Sequence, residues 1–353
     1  MKVRLGDVCD KASSSIIQKS LEGHEGKYPI YGASGLIKYV DFYQREKPYI
    51  AVVKDGAGIG RVMKLPAYSS VIGTMQYIIP NEKVDINYLV YSMEYMNLAK
   101  YFSGATIPHI YFRDYQKEPL NLPEIKVQKK IGGILSNIEK LIAFRNQELS
   151  KFDQLVKSRF IELFGDPVSN DKFWNLAILQ DVTSKIGSGA TPKGGKSSYQ
   201  KEGIPFIRSM NVHDEVFLSK DLAYLSDKQA KQLENVIVKE NDVLLNITGA
   251  SVARSCIVPK TVIPARVNQH VSIIRCIPKY LNPEFLNKLF LHHRYKNLLL
   301  SLGEAGGATR QAITKSQLEK LQIILPPLTL QNEFADFVQQ VDKSKYGEIL
   351  NAL

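Results

Sequence analysis

The 353-residue chain is poor in the residues that usually reveal chemistry or compartment. Its three cysteines, Cys9, Cys256 and Cys276, are odd in number and lack C-x-x-C spacing, so neither a disulfide framework nor a zinc site is signalled. A reducing cytoplasm is the expected setting. Met1–Asp7 (MKVRLGD) has no apolar core of a signal peptide, and no apolar run approaches the roughly 20 residues of a membrane span, so a soluble protein without a membrane partner is expected. H-E-x-x-H, G-x-S-x-G and the Asn/Asp-Pro-Pro-Tyr/Phe motif of amino-methyltransferases are all missing.

What the chain has is length, apolar content and positive charge. At 353 residues with 44% apolar content it exceeds the usual size of one core, and two domains are expected. Lys and Arg number 46 against 35 Asp and Glu, a net charge of +11 that fits an anionic partner. The excess lies in residues 1–120 (15 basic, 12 acidic), 121–165 (8 and 5) and 166–325 (21 and 14). Residues 326–353 are mildly acidic, with 2 basic and 4 acidic residues.

The chain also repeats itself. Leu5, Asp7 and Val8 recur as Leu179, Asp181 and Val182. Gly56, Ala57, Arg61, Pro66 and Gln76 match Gly249, Ala250, Arg254, Pro259 and Gln269 at one shift of 193. Gly104, Ala105, Thr106, Ile110, Lys117, Leu122, Pro123 and Gln128 match Gly307, Ala308, Thr309, Ile313, Lys320, Leu325, Pro326 and Gln331 at a shift of 203. The order of the blocks is kept, which is the mark of two copies of one fold.

Between the copies, Ile131, Leu135, Ile138, Ile142, Arg145, Leu149, Phe152, Val156, Arg159 and Leu163 alternate steps of four and three, a heptad seam without a proline from Gln128 to Phe164. The predicted helix runs about 55 Å and stops at Gly165-Asp166-Pro167. Phe334, Val338 and Val341 occupy the equivalent seam near the C-terminus, before Lys345 and Glu348 interrupt it. Apolar β-branched runs at Tyr49–Val53, Asp242–Asn246 and Val271–Ile274 predict strands; Asn87–Tyr101 and Pro283–Leu300 predict helices. The expected fold is α+β. Two domains of similar fold at 1–123 and 166–326 flank a long helix at 124–165, which packs antiparallel against a shorter helix at 327–353.

Several motifs imitate catalytic sites. Asp55–Gly60 (DGAGIG) resembles a glycine loop for a nucleotide or S-adenosylmethionine, but its counterpart Thr248–Ala253 keeps one glycine and Arg61–Lys64 continues as strand. Gly189–Ser197 resembles a phosphate loop, yet Pro205 opposes the helix that should follow. Asp114, Glu124 and Lys126 have the order of a metal-dependent nuclease site, though an acid just before a long helix is expected on electrostatic grounds. His292-His293 lacks companions for a metal site.

With these residues assembled, the sequence resembles the specificity subunit of type I restriction-modification systems over nearly its whole length. The resemblance rests on Tyr28–Gly35 (YPIYGASG), Gly104–Thr106 through Leu122-Pro123, Gly189–Pro192 (GATP), Ile204–Arg208 (IPFIR), Asn241–Leu245 with Thr248-Gly249, Leu325–Leu328 (LPPL) with Gln331, and the junction Lys157–Pro167. It implies two target-recognition domains, each reading half of a two-part double-stranded DNA site, and two modification subunits that methylate adenine N6. A restriction subunit is an optional further partner. No cofactor is implied for this chain; S-adenosylmethionine, Mg²⁺ and ATP are implied only on the partners. Expected DNA contacts are Ser34, Lys38, Lys54 and Arg61 in the first copy and Lys193, Lys196, Tyr199, Arg208, Ser209, Asn211 and Arg254 in the second. Arg61 and Arg254 fit a shared structural role as well as a shared phosphate contact. The alternatives are a nuclease or methyltransferase component with its own catalytic site, and a scaffold that binds only protein.

Overall fold

The computed structural model describes residues 1–104, 108–304 and 311–351. The repeated triplets keep only Gly104 within that range; Ala105, Thr106, Gly307, Ala308 and Thr309 lie outside the described residues. The chain divides into two compact units, Met1–Gln147 and Glu148–Leu353. This boundary falls inside the long helix instead of at its two ends, where the sequence had suggested divisions.

In the first unit, β1 (Lys2–Arg4), β2 (Cys9–Ser13), β3 (Tyr28–Gly32), β4 (Gly35–Val40), β5 (Tyr49–Val53), β6 (Val62–Leu65), β7 (Ser70–Val71) and β8 (Met75–Pro80) precede α1 (Ile86–Tyr95), α2 (Phe112–Tyr115) and β9 (Pro119–Asn121). The antiparallel sheet has the order β2-β8-β5-β6. A second sheet, β4-β3-β7, contains the parallel pair β3–β7, and β1 pairs with β9. Strand β5 is buried on both faces: Ile50 and Val52 meet Leu89 and Met93 of α1, while Tyr49, Ala51 and Val53 meet Tyr77. This explains its continuous apolar run. Asp85 caps α1 by accepting from the N–H groups of Asn87 and Tyr88 at 3.0 and 3.1 Å.

The long helix α3 (Ile125–Phe164) opens on Glu124, whose carbonyl accepts from Val127 and Gln128. Its 40 residues correspond to about 60 Å of rise.

The second unit holds β10 (Leu176–Ile178), β11 (Thr183–Ser188), β12 (Ile204–Ile207), β13 (Ala223–Leu225), α4 (Asp227–Lys231), β14 (Ile237–Val238), β15 (Val243–Asn246), β16 (Ser255–Ile257), β17 (Ala265–Val267) and β18 (Val271–Cys276). There follow α5 (Pro283–Leu291), α6 (His293–Glu304), α7 (Lys315–Glu319), β19 (Gln322–Ile324) and α8 (Leu328–Asn351). Its sheets follow those of the first unit with one added strand, β14: β11-β18-β15-β16 antiparallel, β13-β12-β17-β14 with a parallel β12–β17 pair, and β10 against β19. The helix predicted over Pro283–Leu300 is broken at His292, whose φ of −59° and ψ of 129° leave the helical region. The first unit makes the same interruption at Asn97, in the left-handed region.

Strand register corrects one repeat match. Ile50 pairs with Lys64 and Val243 with Ile257, which preserves the 193 shift through the hairpin. Across the next strand pair, however, Ile50 faces Ile78 and Val243 faces Ile274, a shift of 196. Gln76 is therefore equivalent to Ser272 and not to Gln269; three added residues separate the strands, and the glutamine match is a coincidence of type.

Within the second unit, α8 packs on the C-terminal part of α3. Val156, Phe160 and Phe164 lie four residues apart on one face and bury against Phe334, Val338 and Val341. The Phe160 and Phe334 rings are 5.5 Å apart. Ion pairs Arg159–Glu333 at 2.7 Å and Asp153–Lys345 at 2.8 Å run in opposite order along the helices, which makes the pair antiparallel. Lys345, expected to interrupt the seam, is buried and held by Asp153 and Asp342.

Candidate nucleic-acid interface

The loop after β5 and the loop after β15 are built alike. Gly60 N–H donates to the Val53 carbonyl at 2.8 Å and Val53 N–H to Arg61 at 2.9 Å; Ala253 donates to Asn246 and Asn246 to Arg254, each at 2.9 Å. Gly56 and Gly249 open the loops at φ 80° and 73°, a conformation glycine adopts without strain. The return segment docks the same way in both units, with Gly56 donating to Pro108 at 3.0 Å and Gly249 to Gln311 at 2.9 Å. Arg61 and Arg254 thus have a common backbone role.

A Cβ at Gly60 would stand 2.3 Å from the Ala99 backbone nitrogen, so that glycine serves close chain packing, and strand β6 follows where a phosphate site would need a helix. Gly189–Ser197 likewise leads into strand β12.

In the first unit, Arg61 Nη1 donates to the Ala33 carbonyl at 2.7 Å, which brings its guanidinium beside the exposed Ser34 in the β3–β4 turn. Lys38 Nζ instead donates to the Leu21 carbonyl at 3.3 Å, and Lys54 lies 3.8 Å from the Asp55 carboxylate. Sequence reasoning missed a row beside this loop. The Asp55 carboxylate holds His109 Nδ1, the His109 and Tyr111 rings are 4.1 Å apart, and Arg113 sits 4.6 Å over Tyr111. The repeat block beginning at Gly104 brackets these residues without matching them, since at its shift they correspond to Ala312, Thr314 and Ser316.

In the second unit an open cleft of about 590 Å³ is lined by Ser209, Thr248, Ser251, Arg254, His270 and Gln311. Thr248 Oγ1 is hydrogen-bonded to His270 Nδ1. Lys193 and Lys196 are exposed on the loop before β12. Tyr199 stacks under the Arg208 guanidinium at 5.6 Å, and Arg208 also donates to the Asp221 carbonyl. Asn211 must be withdrawn as a DNA contact. It is fully buried: its Oδ1 accepts from Arg208 N–H at 3.0 Å, and its Nδ2 donates to the Leu218 and Lys220 carbonyls at 2.9 and 3.3 Å. With both ends of its amide engaged by backbone, Asn211 shapes the corner that presents Ser209.

The seam of α3 is not uniformly buried. Ile131, Leu149, Phe152 and Leu163 are half-buried and Val156 is buried, whereas Leu135, Ile138 and Ile142 are 36%, 46% and 57% exposed. Phe160 and Phe164, which the heptad reading passed over, carry the contact with α8. Burial, with the charge of a nearby Asp, pushes each of the Cys9, Cys256 and Cys276 thiols up to about 12, so none is a thiolate nucleophile near neutral pH. Among the described residues no three His, Cys, Asp or Glu side chains are grouped to hold a metal ion, and no helix is long and apolar enough to cross a membrane.

The family described as the Type I restriction modification DNA specificity domain matches this chain twice, over residues 1–152 and 172–353. A relative from Methanocaldococcus jannaschii, the putative type I restriction enzyme MjaX specificity subunit, is 24% identical over 290 residues; the match covers 74% of this chain and 63% of that protein, less than two thirds of its length. The MjaVIII specificity subunit of the same organism is 22% identical over 369 residues, covering 96% of this chain and 85% of the relative. A putative type I specificity subunit from Mycoplasma pneumoniae is 24% identical over 345 residues, covering 94% and 86%. Among solved structures, the type I restriction-modification S subunit from M. genitalium shares the fold at a TM-score of 0.71 with 13% identity, covering 100% of this chain and 92% of that one. A chain from a study of complex assembly and conformational transition of the type I R-M system gives 0.53 with 17% identity, covering 98% and 91%.

Proposed function

The chain belongs to the type I restriction-modification DNA specificity family, and from that premise we propose that it reads a two-part duplex DNA site, one half through each unit. The observation that carries this reading is the twofold construction of one loop, Gly56–Arg61 and Gly249–Arg254, with the same hydrogen bonds but different side chains around it. Equal scaffolds with unequal surfaces are what two readers of different half-sites require, because backbone contacts position a protein on DNA and side chains distinguish bases. The positive charge of both large segments supports phosphate contact.

In this proposal the chain supplies no catalytic step and binds no cofactor of its own. Two modification subunits dock on it and transfer a methyl group from S-adenosylmethionine to adenine N6. A restriction subunit with Mg²⁺ and ATP is an optional addition, and the assembly works in the cytoplasm. The exposed apolar residues Leu135, Ile138 and Ile142 of α3 support a protein partner at that helix.

The test is to sequence methylated adenines in cells carrying the chain together with a modification subunit, before and after residues 166–310 are exchanged for those of a relative. One half of the methylated motif should change and the other should stay. A change in both halves, or in neither, contradicts the assignment of one half-site to each unit.

A further inference from the structure

Histidine is scarce here, six residues in all, yet one stands beside the same loop in each unit and reaches it by a different route. In the first unit Asp55, just before Gly56, is hydrogen-bonded to His109 from the return segment. In the second, the equivalent Thr248, just before Gly249, is hydrogen-bonded to His270 from the turn before β18. The two histidines are not equivalent in sequence. Position 109 corresponds to Ala312, since Asp55 bridges to His109 as Thr248 bridges to Ala312. Position 270 corresponds to Thr74, since Lys54 N–H donates to Thr74 at 3.0 Å as Ile247 donates to His270 at 2.9 Å. The imidazole is supplied twice at one place by unrelated positions, which backbone inheritance alone does not produce.

In both units the Nδ1 atom is the one held, by the Asp55 carboxylate or the Thr248 hydroxyl, so the ring is oriented with its Nε2 edge outward. His109 keeps 24% of its side chain exposed and is flanked by the Tyr111 ring. His270 lines the open cleft with Arg254, and the exposed Gln269 amide lies 3.2 Å from its Nε2. Resting on the DNA-reading function above, we propose that His109 and His270 are specificity-determining residues that contact a base edge, one in each half-site. Asp55 and Thr248 are positioning residues that fix the rings.

The surroundings of the two rings differ. The first unit sets the Asp55 carboxylate behind the ring, where it accepts from His109 Nδ1. The second sets the Gln269 amide beside it, its oxygen accepting from Thr191 Oγ1 at 2.5 Å and its nitrogen 3.2 Å from His270 Nε2.

The experiment uses the full chain with its modification subunits, methylome sequencing for the motif, and fluorescence anisotropy with duplexes carrying that motif or single-base changes. In His109→Ala the discrimination at one base of the first unit's half-site should fall by about tenfold to a hundredfold, with the other half-site unaffected. Placing the second unit's arrangement in the first, as Asp55→Thr with Thr74→His and His109→Ala, should restore discrimination at that base. Should the first-unit variants fail to fold, His270→Ala tests the same idea on the other half-site. An unchanged motif and unchanged single-base preference in a folded His109→Ala or His270→Ala protein overturns the inference, as does a transplant that reads no better than the alanine variant. If the unmodified assembly methylates no motif and binds no duplex, the DNA-reading function itself has failed, which is a different result.

Discussion

Gln128 and Gln331 each close three backbone groups inside their unit. Gln128 Oε1 accepts from Asp85 N–H at 2.9 Å while Nε2 donates to the Lys83 and Pro123 carbonyls at 3.1 and 2.8 Å. Gln331 makes the same bonds to Asn282, Tyr280 and Pro326 at 2.9, 3.1 and 2.8 Å. Each thereby ties the cap of α1 or α5 to the start of α3 or α8. Both side chains are buried, so Gln128→Met or Gln331→Met leaves the peptide groups without partners and should cost about 1–3 kcal/mol or more. Urea unfolding should show a lower midpoint at unchanged slope; a midpoint equal to wild type would refute the assignment. The repeat had paired these glutamines by type, and the structure gives the pairing its reason. The same residue-level reading failed for Gln76 with Gln269 and for Asn211. A polar side chain that satisfies backbone atoms is indistinguishable by type from one that reads a base, and only its partners tell them apart. His109 and His270 escaped notice for the opposite reason: their likeness is spatial and follows no constant shift.

At the scale of elements, α3 shows what periodicity reveals and what it leaves out. The 3–4 spacing is a local property and located the helix well, but burial depends on what covers each turn. Phe160→Ala, within the contact with α8, should destabilise by about 3–5 kcal/mol, whereas Ile142→Ala should change stability by no more than about 0.5 kcal/mol. Equal losses in thermal or denaturant unfolding would mean that the exposed turns are covered after all. The stop after α3 adds a pH dependence. Asp166 is partly buried, which opposes ionisation. Even so, its carboxyl is held below the usual range by the Val168 and Ser169 N–H groups and by Arg294 at 2.5 Å. A carboxylate with a lowered folded value stabilises above its unfolded value, near 3.9, and loses that contribution as pH falls through the folded one. Asp166→Ala should therefore cost about 1–3 kcal/mol at pH 7, with the difference from wild type shrinking below about pH 4. A difference that stays constant from pH 7 to pH 3 would contradict this. The breaks at Asn97 and His292 were not legible, because neither carries a glycine or proline to mark it.

For the whole molecule, the duplication was legible because it is written in order and spacing, while loop surfaces were not, because they depend on which distant segments meet. Under the proposed function, the same distinction separates what each unit reads from how far apart the readings fall. If α3 sets that interval, its length enters directly through the helical rise. Gln147 is exposed and lies at the boundary of the two units, and no residue from Leu141 to Ser150 is buried, so residues can be inserted there without opening a core. Four added residues extend the helix by about 6 Å and turn it by about 400°, nearly restoring the face that follows. The methylated motif should then keep both halves while its unspecified spacer grows by about one or two base pairs, at roughly 3.4 Å each. Two added residues turn everything beyond by about 200°, so the helix face that follows is not restored. That variant should lose methylation altogether, although its second unit keeps Phe160 and Phe164 packed on α8 and should unfold at the wild-type midpoint. Sequencing methylated adenines in cells carrying each insertion distinguishes the outcomes. A spacer of unchanged length in both variants would show that α3 does not set the interval, and the separation would then have to come from the partner subunits.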